Sequence, residues 1–310
     1  MKPVEDFLLR KSEVKVVTFL ATIADSIDET VNFGTHIFQW FNEAVAGRAD
    51  EVAPIAVSFK HLLDMLDAIS VLIRNSIVEP AKIHLRSALE SAMTIEWILQ
   101  DDSERRAMAF MVWNLNKELK FIQKIDEQTP SGKQFKHKLK GTPVESVQAP
   151  PSVDIEKGRQ NIEALLLRPK YREAEKEYQK LIAQKEKNPS WYRLFDGPNN
   201  IEELASKVGM IAWYEIFYRQ WSGLVHATDL LGGKVKTTGG KTLIQKMRHP
   251  GGVEQVYVYT IAIALQIYKK MLEQFAPSKI PVFLDWYESE VRDFYMRLNS
   301  GNPVIVSKVT

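Results

Sequence analysis

The sequence predicts an all-α multi-helix bundle, and three observations carry that expectation. Glycine (15) and proline (14) are thinly spread over 310 residues. Between them, apolar residues recur at three- and four-residue steps instead of alternating. The composition, 45% hydrophobic and 26% charged, suits a sizeable core and excludes a mostly disordered chain.

Asp25 to Ala46 and Val52 to Asn75 read as two long amphipathic helices. The next starts at Pro80, whose fixed φ and missing N–H suit a first helical turn. Ala81, Leu85, Ala88, Ala92, Ile95 and Leu99 then line a seam for a neighbouring helix. Asp101 and Asp102 end it, and their charge favours the dipole of a further helix from Ser103 to about Ile125. Residues 126–155, with QTPSGK and QAPPS, read as a long linker, and a charged helix follows over about 156–187. Asn200 opens a helix that the apolar pattern carries to about His226. LGGKVKTTGGKTLIQKM alternates weakly around Gly239 and Gly240, so one small β-hairpin near 233–246 is compatible with the helical class. Val253 to Phe275 and Pro281 to Leu298 close the chain. With no repeat and no break in composition, residues 1–310 read as a single all-helical domain.

Lysine plus arginine (41) against aspartate plus glutamate (39) leaves +2, too balanced for a chain-wide attraction to polyanions. Cysteine is absent, which removes thiol nucleophiles, cysteine-ligated zinc, iron–sulfur clusters and disulfides and matches a reducing cytoplasm. The opening MKPVEDFLLRKSEVK carries acids where a secretory signal needs a basic start. The apolar run Val256 to Tyr268 falls short of the roughly 20 residues that span a bilayer. A cytoplasmic protein with no membrane association is expected.

Two helices carry candidate chemistry. In MIAWYEIFYRQWSGLVH, residues 210–226, a regular α-helix places Glu215, Arg219, Ser222 and His226 within about 60° of one another. Trp213, Ile216, Phe217, Tyr218 and Trp221 occupy the rest of the circumference. The stripe reads either as the solvated face of a core helix or as a cleft, with Arg219 holding an anion and His226 moving protons. In HLRSALESAMTIEWIL, Arg86 and Glu90 stand one turn apart on the side of Met93 and Trp97. Charges in such company are costly unless paired, which predicts an Arg86–Glu90 ion pair. His84 lies elsewhere on that helix and reads as a surface histidine.

Between Asp229 and Glu254 the chain carries Lys234, Lys236, Lys241, Lys246, Arg248 and His249 and no acid. Its GGKT is no phosphate loop, because Val235 stands where a Walker A motif needs glycine. The six histidines show no metal-like spacing, and no cofactor is implied. Ser222 and His226 lack a third, orienting acid, which argues against a serine hydrolase.

The runs IHLRSALESAMTIEWIL, WYRLFDGPNNIEELASKVG and YEIFYRQWSGLVHATD, in that order, resemble an all-helical bacterial family, domain of unknown function 5677, over roughly residues 55–275. In that family an Arg-x-x-x-Glu helix precedes a tyrosine-rich helix ending in serine and histidine. Here these are Arg86 and Glu90, then Tyr214, Tyr218, Ser222 and His226. More distantly, Arg219 and His226, six residues intervening, resemble the signature of the HEPN superfamily, helical bundles that include metal-independent endoribonucleases of bacterial defence and toxin systems. The resemblance implies a homodimer acting on RNA, with an antitoxin or defence-system partner protein. Arg219, His226 and Ser222 are then the catalytic candidates, with Arg86, Glu90, Glu215 and Tyr218 in support. Lys234, Lys236 and Lys241 are the candidate RNA-binding residues. The alternative is a non-catalytic helical interaction or anion-binding protein.

Overall fold

The computed structural model describes residues 4–8, 13–47, 49–145, 152–186, 188–228, 235–238 and 241–300. It is all-α apart from one short hairpin. A short helix α1 (Glu5–Leu8) precedes three long ones, α2 (Val14–Ala44), α3 (Ala49–Arg74) and α4 (Val78–Ile98). Then come α5 (Ser103–Ile125), α6 (Pro130–Leu139), α7 (Ser152–Leu166) and α8 (Arg172–Ala183). After α9 (Ile201–Lys207) runs an interrupted helix: α10 (Ile211–Trp213), a π-helical turn Tyr214–Tyr218, and α11 (Ser222–Val225). Strands β1 (Val235–Thr238) and β2 (Lys241–Ile244) pair antiparallel, with Val235 opposite Ile244. The long α12 (Val253–Phe275), α13 (Ile280–Trp286) and α14 (Arg292–Asn299) follow. The chain forms two compact units, Met1–Gln100 with Ala205–Thr310, and Asp101–Leu204.

In the first unit α3 packs against α2 and α4, and α12 packs against the same two helices, which closes a four-helix ring. The seam expected on α4 is buried along its whole length, from Ala81 to Leu99. Tyr268 of α12 is fully buried, and its hydroxyl donates to the Thr30 carbonyl at 2.8 Å. That approach requires Gly34, because a Cβ there would collide with the Tyr268 hydroxyl and with Leu63.

The direction of α12 explains where the site lies. Gly252, at its start, sits beside the Lys82 ammonium near the start of α4. Towards the other end, Gln266 donates to Glu96 at 3.0 Å and Lys270 lies 3.7 Å from the same carboxylate. The two helices are therefore parallel, and the chain must come back along α4 before α12 begins. Gln100 donates to the Lys207 carbonyl at 3.1 Å, Tyr218 meets Glu90 at 2.7 Å, and Ile77 bridges His249. Lys207, Tyr218 and His249 thus meet α4 in order from its end to its start.

Several elements depart from the sequence expectation. The first long helix begins at Val14, well before Asp25, and buries Val16, Leu20 and Ile23. Inside the stretch read as a linker, α6 forms behind Thr129, whose hydroxyl accepts the Gly132 N–H at 2.9 Å, with Pro130 supplying the first turn. The charged helix is two helices, separated ahead of Pro169, which lacks a donor N–H. The helix expected to run unbroken to His226 stops where Gly209 adopts a left-handed φ of +73°.

The second unit is organised on α5, against which α6, α7 and α8 pack. Buried Asn116 on α5 donates to Glu175 of α8 at 2.6 Å. No helix among the described residues is long and apolar enough to cross a membrane.

Candidate functional site

Lys82, Arg86 and Glu90 follow one another at single turns of α4, facing the returning chain. There the backbone abandons the α pattern. The Arg219 N–H donates to Tyr214 five residues back at 2.9 Å, while Ser222 and Leu224 donate only three residues back. The wider turn lets two consecutive large rings, Phe217 and Tyr218, both be buried. Phe217 stacks on Tyr259 of α12 at 5.3 Å and 19°. Tyr218 turns to α4.

Tyr218 stands where an ion pair was expected. Its hydroxyl donates to Glu90 Oε1 at 2.7 Å, and its ring carries the Arg86 guanidinium 4.0 Å from the centroid. Arg86 and Glu90 do not pair directly. Glu90 is exposed, Arg86 is half-buried, and Arg86 Nε is buried without a hydrogen-bond partner. The reason lies in what burial costs: a ring face tolerates the guanidinium, and the exposed carboxylate keeps its water. Burial pushes the Tyr218 phenol well above the usual range, the bond to Glu90 adds to this, and Arg86 opposes it.

The contacts continue outward. Tyr218 stacks with Tyr214 at 5.2 Å and 25°. Arg219 lies 5.3 Å from the Tyr214 ring, and its Nη1 is 3.3 Å from Glu215 Oε2. Two constellations that are far apart in sequence are therefore one chain of contacts, Arg86–Tyr218–Tyr214–Arg219, flanked by Glu90 and Glu215. Its inner end is half-buried, whereas the Arg219 side chain is 53% exposed. Ser222 is half-buried and His226 exposed, and only their backbones are bonded, His226 N–H to Ser222 O at 3.2 Å.

Lys234 lies outside the described residues. Lys236 and Lys241 are placed by backbone only, in register with Leu243 and Thr238; their side chains also lie outside the description. Sequence reasoning missed Lys82, whose ammonium pairs with Glu79 and sits 5.4 Å from the Trp221 ring. Its four-residue spacing from Arg86 was the available signal. His84 is half-buried rather than a surface histidine. Its Nδ1 lies 3.4 Å from Met65 Sδ, and burial, then the charge of His61, push its pKa down. Among the described residues no group of three or more histidine, aspartate or glutamate side chains is arranged to hold a metal ion.

A family model matches residues 53–241, well over half the chain, and includes every residue of this contact chain. The chain belongs to a family of unknown function, DUF5677. The DUF5677 match ends within β2, so α12 and its Tyr259 lie beyond it, short of the position near 275 to which the sequence resemblance extended. No curated protein and no solved structure matches the chain.

Proposed function

We propose that the chain is a metal-independent, HEPN-like endoribonuclease of a bacterial defence or toxin system. The observation that supports this reading is the exposed pair Arg219 and His226, carried on a stretch whose backbone leaves the α pattern and whose inner residues are fixed against α4. π-Helical turns are frequent at functional sites. In this reading the His226 imidazole accepts the proton of a ribose 2′-hydroxyl as that oxygen attacks the adjacent phosphorus. The bond to the 5′-oxygen breaks, a proton is returned to that oxygen, and a cyclic phosphate and a 5′-hydroxyl result. Arg219 presents its planar fork to the charge that builds on the phosphorus oxygens. Arg86, Tyr218 and Glu90 position Arg219 through Tyr214, Glu215 holds it directly, and Lys234, Lys236 and Lys241 supply attraction to the backbone phosphates. The enzyme acts in the cytoplasm as a homodimer restrained by an antitoxin or defence-system partner. Light scattering should then give twice the 35.5 kDa chain mass.

Incubation of the pure protein with total RNA in chelator tests the reading. Wild type should cleave, and His226→Ala should lose about 10²–10⁴-fold in rate while filter binding stays intact. No cleavage and no binding at low salt would overturn it. A second reading has an observation of its own. Glu215 lies against Arg219, and Glu90 accepts from Tyr218, so local charge is close to balanced. That favours a non-catalytic helical interaction protein, in which the contact chain fixes a surface.

A further inference from the structure

In the first unit, away from the Arg219 region, α2 and α13 enclose a groove of about 440 Å³. That volume lies in the range of small-molecule sites, about 300–1,000 Å³. Three aromatic rings shape it. Phe33 and Trp286 stack at 4.2 Å and 14°, and Trp40 meets Phe33 edge-on at 6.0 Å and 79°. The walls therefore stand in two nearly perpendicular planes, an open-sided aromatic box. Asn32, His36 and Val282 line the rest of it beside Glu29.

One carboxylate faces this box. Glu29 Oε1 accepts from Trp286 Nε1–H at 2.9 Å, which locks the acid against the edge of the indole. Its neighbours on α2 are committed elsewhere: Asp25 and Asp28 both bind Arg74, at 2.8 and 2.6 Å. Glu29 lines the groove and has no arginine or lysine partner among the described residues, so no side chain there neutralises its charge. Trp40 already attracts a cation, since the Lys279 ammonium lies 5.1 Å from its ring. The π-helical turn Tyr287–Val291 begins immediately after Trp286, so a change of helical pitch adjoins the box.

Indole faces draw cations through their quadrupole, most strongly when the cation sheds little water on arrival. A methylated nitrogen does so, whereas an anion meets Glu29 and a neutral apolar solute leaves that carboxylate unneutralised. We propose that this groove is a binding site for a small quaternary ammonium compound, its methylated nitrogen against the aromatic walls that Trp40 and the stacked Phe33 and Trp286 form and neutralised by Glu29. The site is independent of the proposed ribonuclease chemistry.

Choline is the probe, and its uncharged carbon isostere 3,3-dimethylbutanol is the control. Ligand-detected NMR with the full chain should show saturable broadening of the choline methyl signal and little for the isostere. Glu29→Gln keeps an acceptor for Trp286 and removes only the charge; it should weaken choline binding at least about tenfold. Trp40→Leu should weaken it similarly, with circular dichroism confirming an intact fold. The inference is overturned if wild type leaves the choline signal unchanged, if the isostere binds as tightly, or if Glu29→Gln binds as wild type does.

Discussion

α4 and the chain that returns along it are both amphipathic by pattern, yet they solve burial differently. α4 keeps its hydrogen-bond pattern throughout and buries an aliphatic seam of alanine, leucine and isoleucine. Residues 211–225 change pitch repeatedly and bury aromatic rings between α4 and α12. Small side chains at four- and three-residue steps let two regular helices approach. Large rings on successive positions cannot all face inward at 100° per residue, so the backbone widens by one residue to admit them. The charges follow the same division. Of the charges on α4, Glu96 is buried against Gln266 and Lys270 of α12, Glu90 is exposed, and Arg86 is covered by a ring that comes from the irregular strip. Aromatic contact, not charge pairing, ties the two together.

If that is so, the largest loss should come from removing the ring. Tyr218 is 6% exposed and touches Arg86, Glu90 and Tyr214. Tyr218→Ala should destabilise by about 3–5 kcal/mol in denaturant titrations, the scale of large-to-small aromatic truncation in cores. A loss below about 1 kcal/mol would mean that α4 and the strip are held by something else.

A tyrosine on the regular helix gives the next largest effect. Tyr257 of α12 is fully buried, its hydroxyl is 2.9 Å from Ser26 Oγ, and burial pushes its pKa up to about 12. An unfolded tyrosine ionises near pH 10, roughly. Between about pH 10 and 12 the folded chain keeps a proton that the unfolded chain has released, so stability falls as pH rises through that window. The contribution is on the order of 3 kcal/mol, complete below the unfolded value and lost above the folded one. Tyr257→Phe should flatten the alkaline limb of unfolding by about one proton. An unchanged slope would show that Tyr257 does not titrate with unfolding.

Glu90→Ala should cost less, about 1 kcal/mol, because the carboxylate is exposed and loses a single hydrogen bond from Tyr218. A direct buried ion pair would instead strand Arg86 and cost about 3–5 kcal/mol. Thermal or denaturant midpoints of Glu90→Ala beside Tyr218→Phe, which removes the same bond from the other side, decide between these arrangements. Equal, small losses sharpen the contrast between the regions; a large loss from Glu90→Ala alone would break it.

Periodicity made the regular helices legible in the sequence, and a change of pitch hid the irregular strip. The α4 seam and the start of α5 at Ser103 could be read directly, because alternating four- and three-residue steps specify a packed helix face and an acidic turn specifies a helix start. The strip 210–226 could not, since helical-wheel reasoning assumes 100° per residue and one π turn rotates everything beyond it. Glu215 and Arg219 still meet, being four residues apart within the turn. The spacing of Arg86 and Glu90 suggests a direct pair, but Tyr218 joins them instead across 128 residues, and no local spacing announces such a partner. The groove of Glu29, Trp40 and Trp286 was invisible for the same reason: two of its walls are separated by most of the chain.

The smallest effect concerns the outer end of the contact chain. Arg219 and Glu215 are both about half exposed, 53% and 46%, at 3.3 Å. Solvent screens such a pair, and the two side chains lose rotamer entropy in holding it. A double-mutant cycle with Arg219→Ala and Glu215→Ala should therefore give a coupling of about 0.3–0.5 kcal/mol that shrinks in high salt. The sign carries the functional consequence. Under the proposed ribonuclease reading Glu215 competes with a phosphate for the Arg219 guanidinium, so Glu215→Ala should leave the fold intact and tighten RNA binding. A coupling above about 2 kcal/mol would instead mean that Arg219 is committed to Glu215 as firmly as Arg86 is to Tyr218. The irregular strip would then be a structural brace from end to end, and the difference between its inner and outer halves would disappear.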